Sequence, residues 1–323
     1  KKSQNPLITG SPEGYTDNFR DPKIIEQNGR YYCIIGAETD SHEGAIAYYV
    51  SDDLEKWTYQ RAIELKGNIT SENQGFMWEC PDYFELDHQG VLLFSPQGMT
   101  EEGDNYQNIY QSGYLLGNPL DFATGIFHVT ENFKELDRGF DFYAPQTMTD
   151  PNGRQLLVGW LGLPGVDCAT DEFGWAHCLT IPREISIQNG KLHQKPVSEL
   201  SLLRGKKNTV EIELENEAVI AENFSARTYE LQVTFSNLSG SSVGLSFRMG
   251  EKEVTNFYYD RIAKKLVFDR SQSGETATAE FGTLRKCDFS EEELEIRLFM
   301  DESSVEIFVN DGLEVFTARL YSQ

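Results

Sequence analysis

The chain has 323 residues, of which 39% are hydrophobic and 12% are aromatic, so it can bury a sizeable core and is not disordered. Its 52 acidic residues outnumber its 28 basic ones, and the net charge of −24 disfavours binding to nucleic acid or to anionic membranes. The five cysteines, at positions 33, 80, 168, 178 and 287, show no paired spacing, and no secretory leader is visible. These features favour free thiols and a cytoplasmic location.

Short apolar segments separated by turns rich in glycine, asparagine and aspartate run through the first two thirds of the chain. They are rich in β-branched and aromatic residues, which predicts strands. The clearest are Tyr31–Ile35, Ala45–Val50, Val91–Phe94 and Leu156–Trp160.

A triplet ending in proline occurs three times ahead of these strands. The copies are Arg20-Asp21-Pro22, Glu79-Cys80-Pro81 and Tyr143-Ala144-Pro145, and their prolines are 59 and 64 residues apart. A period of this size, built from short strands, is typical of a β-propeller. Because a ring closes only with four to eight blades, we predict about three blades here and about two further blades upstream of this chain.

Regular alternation of polar and apolar residues replaces the repeats after a predicted short helix at residues 196–204. The run Asn310-Asp311-Gly312 between two such strands predicts a hairpin. We therefore predict a partial propeller carrying the site at residues 1–195 and a β-sandwich at residues 196–323. The alternating strands are Glu230–Phe235, Val243–Phe247, Leu294–Phe299, Val305–Val309 and Leu313–Phe316.

Glu79 is the strongest candidate for a reactive group. It follows the aromatic residues Phe76 and Trp78 and lies two positions before Pro81. Burial against aromatic surface raises the pKa of a carboxyl and suits it to act as a general acid near neutral pH. A strand-end glutamate in a salt bridge is the alternative, but the position of Glu79 within the repeat favours the acid.

Asp21 is predicted to differ in character from Glu79. The neighbouring Arg20 favours an ionised Asp21, which suits it to accept hydrogen bonds from sugar hydroxyls while Arg20 donates to others. An Asp-Pro turn with a surface arginine is the alternative. Two carboxyls of opposed character facing one cavity are typical of enzymes that cleave glycosidic bonds.

Aromatic and amide side chains of the repeats are expected to line such a pocket, although an aromatic residue in such a pattern more often belongs to the core. The candidates are Trp78, Tyr143, Gln146 and Trp160.

Other chemistries find little support in the sequence. The five histidines show no metal-ligand spacing, so we expect no metal and no cofactor. Cys80 has no histidine near it in sequence, which disfavours a thiol nucleophile. The run Asp150-Pro151-Asn152-Gly153 has the composition of a tight turn between two strands rather than of a catalytic motif.

Two segments resemble glycoside hydrolase family 32, the family of invertases and sucrose-6-phosphate hydrolases. They are Asn18–Pro22 and Trp78–Asp82. The similarity spans almost the whole chain, and the bacterial sucrose-6-phosphate hydrolase branch looks most similar. It continues through Phe140–Gln146, Gly159–Gly162, Gly174–Glu184 and Val267–Ser271.

The resemblance implies a five-bladed propeller followed by a β-sandwich and retaining hydrolysis of a β-fructofuranoside, either sucrose or sucrose-6-phosphate. It implies that Glu79 is the acid/base and that Asp21 stabilises the transition state by holding the fructosyl hydroxyls. Arg20, Cys80, Tyr143 and Trp78 are the expected substrate-binding residues. The expected partner is a small sugar, not nucleic acid or membrane.

The chain departs from the family pattern in one respect. The family nucleophile is an aspartate in an Asn-Asp-Pro-Asn-Gly motif ahead of the Arg-Asp-Pro triplet, and Asp150 lies after that triplet. We therefore expect this chain to be inactive alone and to self-associate through an unpaired blade. The alternatives are an inverting propeller glycosidase acting on arabinan or xylan, and a non-catalytic fragment that binds sugar or a partner piece.

Overall fold

The computed structural model describes residues 5–69, 73–221, 224–275 and 279–322. Within these ranges it contains 22 β-strands and three short 3₁₀ helices, so the prediction of an all-β chain is confirmed. None of the helices in that part of the chain is long and apolar enough to span a membrane.

Two compact units make up the chain. Unit 1 comprises residues 1–137 and 142–148, and unit 2 comprises residues 138–141 and 149–323. The predicted division into domains at residues 1–195 and 196–323 stays a prediction.

The strands of unit 1 form two sheets of the kind found in propeller blades, in which antiparallel neighbours follow one another along the chain. The first sheet has the order β1-β2-β3-β4, and the second has the order β5-β9-β8-β7-β6, with β5 parallel to β9. The strands of these two sheets are β1 Tyr15–Gln27, β2 Arg30–Thr39, β3 Gly44–Ser51, β4 Thr58–Ala62, β5 Glu64–Gly67, β6 Met77–Leu86, β7 Gln89–Gln97, β8 Gly113–Gly117 and β9 Ile126–Glu135. The next strand along the chain, β10 Tyr143–Thr149, belongs to neither of them.

The two sheets of unit 1 pack closely where β2 and β3 face β6. A Cβ atom on Gly36 would lie 2.1 Å from the carbonyl oxygen of Trp78, and one on Gly44 would lie 2.2 Å from Cδ1 of Trp78. Only glycine permits this approach. Trp78 is itself buried and stacks on Phe94, with ring centroids 4.4 Å apart. The core around it includes Ile34, Ile46, Leu92, Leu115 and Phe127.

Unit 2 contains one small sheet and the sandwich. In the small sheet β11 pairs with β12 and β13, and β13 pairs with β14. The strands of this small sheet are β11 Gln155–Leu161, β12 Cys178–Leu179, β13 Arg183–Gln188 and β14 Lys191–Pro196. The 3₁₀ helices of unit 2 are Ala169–Phe173, Ser198–Leu203 and Ala279–Phe281. The helix at Ser198–Leu203 confirms the short helix predicted at residues 196–204.

The sandwich consists of two four-stranded antiparallel sheets, with the orders β15-β20-β21-β22 and β16-β17-β18-β19. The Asn310-Asp311-Gly312 turn joins β21 to β22, and all three of its residues have positive φ, so the predicted hairpin is confirmed. The strands are β15 Tyr229–Phe235, β16 Ser242–Phe247, β17 Val254–Asp260, β18 Lys265–Gln272, β19 Leu284–Asp288, β20 Leu294–Met300, β21 Ser304–Val309 and β22 Glu314–Arg319.

A buried ion group lies inside unit 2. Oδ2 of Asp141 accepts a hydrogen bond of 3.1 Å from Arg270, and Oδ1 accepts one of 2.8 Å from Nε of Arg319. The backbone N–H of Arg319 donates to the same carboxylate. The Arg270 guanidinium also stacks over the Phe140 ring at 3.8 Å. All three charged side chains are at most 5% exposed, so their charges are satisfied within the fold.

Candidate active site

The three proline-ending triplets share an unusual backbone conformation. Their middle residues, Asp21, Cys80 and Ala144, have φ values of 63°, 50° and 49°. Such left-handed residues are uncommon outside glycine, and proline disfavours a helical residue before it. In β1 and β6 the strand register also shifts across the triplet. A bulge of this kind re-aims the neighbouring side chains, which is a known device near binding and catalytic sites.

The first residues of the triplets converge on the carboxyl group of Glu79. Nε of Arg20 donates to Oε1 of Glu79 at 2.7 Å. The hydroxyl of Tyr143 lies 2.5 Å from Oε2, and Nε2 of Gln97 donates to the same oxygen at 2.6 Å. The Glu79 side chain remains 14% exposed. The repeat therefore assembles a polar cluster around one carboxyl that solvent still reaches, and we call these four residues the Glu79 cluster.

The direction of the hydrogen bond between Tyr143 and Glu79 follows from the pKa of Tyr143. Burial, and then the hydrogen bond to Glu79, raise the pKa of this phenol well above its usual value. Tyr143 is therefore protonated at neutral pH and donates to the carboxyl.

Asp21 lies next to this cluster and is held by the second triplet. Its Oδ2 accepts a hydrogen bond of 3.0 Å from the backbone N–H of Cys80 and a weaker one of 3.5 Å from the Cys80 thiol. Burial, and then the charge of Asp21, raise the pKa of Cys80 well above its ordinary value. Cys80 is thus a thiol at neutral pH.

A second polar layer is formed by residues that follow the triplets. Nζ of Lys23 donates to Oδ2 of Asp82 at 2.9 Å and to the carbonyl oxygen of Thr147 at 2.6 Å. The backbone N–H and hydroxyl of Thr147 donate to the same Asp82 oxygen. Asp82 is fully buried, and burial raises its pKa although Lys23 opposes the shift. This layer joins β1, β6 and β10 beside the triplets that carry the cluster.

The structure does not bring Trp78 into contact with the Glu79 cluster, and its predicted role in lining the pocket stays a prediction. Trp78 is 4% exposed, and its Nε1 donates to the carbonyl oxygen of Gln74. Side chains of adjacent residues in a strand point to opposite faces of the sheet. Glu79 faces the polar cluster, so its neighbour Trp78 faces the core.

The remaining candidates take separate places. Gln146 donates to the Cys80 carbonyl oxygen at 3.2 Å, close to the second triplet. Trp160 belongs to unit 2, where its Nε1 donates to Nδ1 of His177 at 2.7 Å. Asp150 accepts hydrogen bonds from the backbone of Asn152 and Arg154, which is the arrangement of a turn.

Sequence reasoning missed several residues of this region. Gln97 reaches Glu79 because β7 pairs with β6 in a register that sets Met77 opposite Gln97. Lys23 and Asp82 occupy the same position in two repeats, directly after the proline. That shared position, with charges of opposite sign, was the available indication that the two residues meet.

Comparison with known proteins bears on this geometry. Residues 1–196 match the family described as Glycosyl hydrolases family 32 N-terminal domain, and residues 199–323 match Glycosyl hydrolases family 32 C terminal. The chain is 40% identical over 319 residues to a sucrose-6-phosphate hydrolase of Staphylococcus xylosus, covering 98% of this chain and 63% of that protein. It is 35% identical over 315 residues to a raffinose invertase of Escherichia coli, covering 97% and 63%.

Solved structures show the same relationship. A sucrose-6-phosphate hydrolase from Lactobacillus gasseri matches with a TM-score of 0.86 and 30% identity, covering 97% of this chain and 63% of that one. A point mutant of a Bombyx mori family 32 β-fructofuranosidase in complex with sucrose matches with a TM-score of 0.83 and 30% identity, covering 100% of this chain and 65% of that one. The predicted propeller-type sheets followed by a β-sandwich are confirmed. The chain spans slightly less than two thirds of the length of these relatives.

Proposed function

Because the chain belongs to glycoside hydrolase family 32, we propose that the whole protein hydrolyses β-fructofuranosides with retention, acting on sucrose or sucrose-6-phosphate. The observation that carries the proposal is the convergence of Arg20, Glu79 and Tyr143 from three successive repeats on one partly exposed carboxyl. Relatives named as sucrose-6-phosphate hydrolases and as a β-fructofuranosidase with bound sucrose support the substrate class.

Glu79 is the proposed acid/base. Its carboxyl is fixed by three donors yet reaches solvent, so it can protonate the departing oxygen and then accept a proton from water. Tyr143 and Gln97 restrict the carboxyl to one orientation, which lowers the cost of aligning it with the glycosidic bond.

Asp21 is the proposed transition-state stabiliser. The backbone N–H of Cys80 donates one hydrogen bond to Oδ2 of Asp21. The carboxylate has further lone pairs that can accept hydrogen bonds from sugar hydroxyls. Arg20 is 35% exposed on its side chain, and its Nη2 has no hydrogen bond among the described residues, so it can donate to a substrate oxygen. Positive charge at Arg20 and negative charge at Asp21 thus border the same site.

A retaining mechanism needs a second carboxylate about 5–5.5 Å from the acid, placed to attack the anomeric carbon. The three described side chains that hydrogen-bond to Glu79 are an arginine, an amide and a phenol, none of them a nucleophilic carboxylate. We therefore propose that the 323-residue chain alone does not hydrolyse sucrose. Fructose release above a no-protein blank by the purified chain would contradict this.

The stereochemical outcome tests the proposed reaction in the whole protein. Hydrolysis of sucrose followed by rapid NMR should give β-fructofuranose first, before mutarotation. Initial α-product would indicate the inverting alternative, whose carboxyls lie roughly 6.5–9.5 Å apart. Sucrose and sucrose-6-phosphate compared by kcat/KM identify the preferred substrate, and no release from either would refute the function.

An apolar hollow of about 500 Å³ on the first sheet supports the proposed self-association of the chain. Phe19, Ile24, Ile35 and Trp57 line it, and Ile24 is 46% exposed. Ile24→Lys should shift the 323-residue chain toward the monomer in size-exclusion chromatography with light scattering. An unchanged mass would exclude this surface. The proposed cytoplasmic location is supported by five free thiols.

A further inference from the structure

A bulge in β1 between Tyr15 and Phe19 encloses the carboxyl group of Glu38. Glu38 is only 5% exposed. The Thr16 hydroxyl donates to it at 3.1 Å, Nδ2 of Asn18 donates to the same oxygen, and Nδ1 of His42 contacts the other oxygen at 2.6 Å. The hydrogen bonds from His42 and then Asn18 lower the pKa of Glu38. Glu38 is thus an ionised, acceptor-only group, so all three neighbours must donate to it.

Asn18 connects this carboxylate to the Glu79 cluster. Its amide nitrogen faces Glu38, so its Oδ1 faces the opposite way and accepts a hydrogen bond of 3.1 Å from Nη1 of Arg20. Glu38 can only accept and Arg20 can only donate, so a single orientation of the amide satisfies both. Glu38 therefore decides which end of Asn18 the arginine meets.

Arg20 passes this orientation on to Glu79. With Nη1 held by Asn18, its Nε donates to Oε1 of Glu79 at 2.7 Å. The planar guanidinium has fixed angles between its donors, so a hydrogen bond that holds Nη1 also fixes the direction in which Nε donates. An unbroken line of hydrogen bonds runs from Glu38 through Asn18 and Arg20 to the proposed acid/base.

We infer that Glu38 and Asn18 are positioning residues that hold Arg20, and through it the Glu79 carboxyl, in the orientation that protonates the leaving oxygen. This inference rests on the proposed function. Neither residue contacts the reacting atoms in this role, and each acts through the guanidinium. Positioning of this kind affects reactions that need the acid and spares those that do not.

Two substrates with different leaving groups distinguish a loss of positioning from a loss of stability. Sucrose has a poor leaving group and needs protonation, whereas 4-nitrophenyl β-D-fructofuranoside releases nitrophenolate with little help from an acid. In the whole protein, Asn18→Leu and Glu38→Gln should each lower kcat/KM for sucrose about tenfold. The same variants should change kcat/KM for the nitrophenyl fructoside by less than about twofold.

A double variant and a matched control complete the experiment. Because Glu38 acts through Asn18, adding Glu38→Gln to Asn18→Leu should lower kcat/KM for sucrose no further. Glu85→Gln makes the same chemical change on β6, where Glu85 accepts a hydrogen bond of 2.9 Å from the Tyr83 hydroxyl, and it should leave kcat/KM for both substrates unchanged.

The outcomes distinguish a failure of the proposed function from a failure of the positioning role. A wild-type protein that hydrolyses neither fructoside would refute the proposed function and this inference with it. A wild type active on both, with variants that lose activity equally on both or lose none, would overturn the inference alone. Should Asn18→Leu fail to fold, the isosteric Glu38→Gln carries the same comparison.

Discussion

Two carboxylates of this molecule are each held by arginine, and they differ in what surrounds them. Asp141 in unit 2 is fully buried and accepts from Arg270 and from the side chain and backbone of Arg319. Glu79 in unit 1 remains 14% exposed and meets Arg20, whose side chain is 35% exposed. The same residue types thus form a closed ion group in one unit and an open cluster in the other.

The difference shows that an arginine–carboxylate pair does not by itself indicate a functional site. In the closed group, burial makes each charge depend on its partner, so the pair contributes to folding. In the open cluster, parts of Arg20 and Glu79 stay exposed to solvent and accessible to the proposed substrate, and the backbone at Asp21 and Cys80 is left-handed. Solvent exposure of the pair, together with left-handed backbone beside it, distinguishes the open cluster from the closed ion group.

The largest expected effect comes from Glu79→Gln in the whole protein. It should lower kcat/KM for sucrose by roughly 10²–10⁴-fold, because the amide cannot donate an acidic proton. The free energy of unfolding should change little, since the amide fills the same space. Asp150→Asn, in a turn of unit 2, is the control and should retain full activity. Equal activity of Glu79→Gln and wild type would end the acid/base assignment.

Asp141→Asn should act on stability rather than chemistry. It leaves Arg270 and Arg319 buried without a counter-charge, which costs about 3–5 kcal/mol. Urea unfolding of the 323-residue chain measures this cost. A loss below about 1 kcal/mol would mean that the closed group contributes as little as a surface pair.

Tyr143→Phe tests the open cluster more gently. The variant removes one donor to Glu79 and keeps the ring, so kcat/KM for sucrose should fall about tenfold in the whole protein, as expected for one hydrogen bond to a charged group. The midpoint of thermal unfolding should stay close to that of wild type. Activity equal to wild type would show that Arg20 and Gln97 suffice to hold the carboxyl.

Glu230 in the sandwich is a third carboxylate held by arginine. Its side chain is 15% exposed, about as much as that of Glu79, and it contacts Arg204 at 2.6 Å and Arg297 at 2.8 Å. The hydrogen bond from Arg204 leads the causes that lower its pKa below the ordinary 4.5. Its ionised form therefore stabilises the fold above pH 4.5, and the gain is lost as pH falls through the lowered value.

Glu230→Gln removes this contribution and should cost about 1 kcal/mol or less near neutral pH. The gap in unfolding free energy between wild type and variant should close as pH falls below about 4.5. A gap that widened in acid would reverse the predicted sign. Denaturant unfolding at a series of pH values measures it.

The sequence predicted the strands and the convergence of the triplets because both depend on local pattern. Arg20, Glu79 and Tyr143 hold the same position in successive repeats, so equivalent side chains were expected at one end of neighbouring sheets. Alternation also contained the information that Trp78 must face away from Glu79, although its aromatic character suggested a sugar-binding surface.

The other members of the site depend on tertiary structure. Gln97 contacts Glu79 only through the pairing of β7 with β6. Asn18 and Glu38 are in contact because a bulge shifts the register of β1 against β2. The pattern of polar and apolar residues does not predict that shift. Contacts that arise from irregular pairing are those that periodicity cannot predict.

The left-handed conformation of Asp21 and Cys80 constrains how these positions can be altered in directed evolution. Asparagine and glycine tolerate that conformation, whereas valine, isoleucine and threonine do not. A library that randomises either codon would therefore lose most β-branched members through misfolding, whatever their chemistry. Asp21→Asn removes the charge without disturbing the main chain, so it is the substitution that separates electrostatics from geometry.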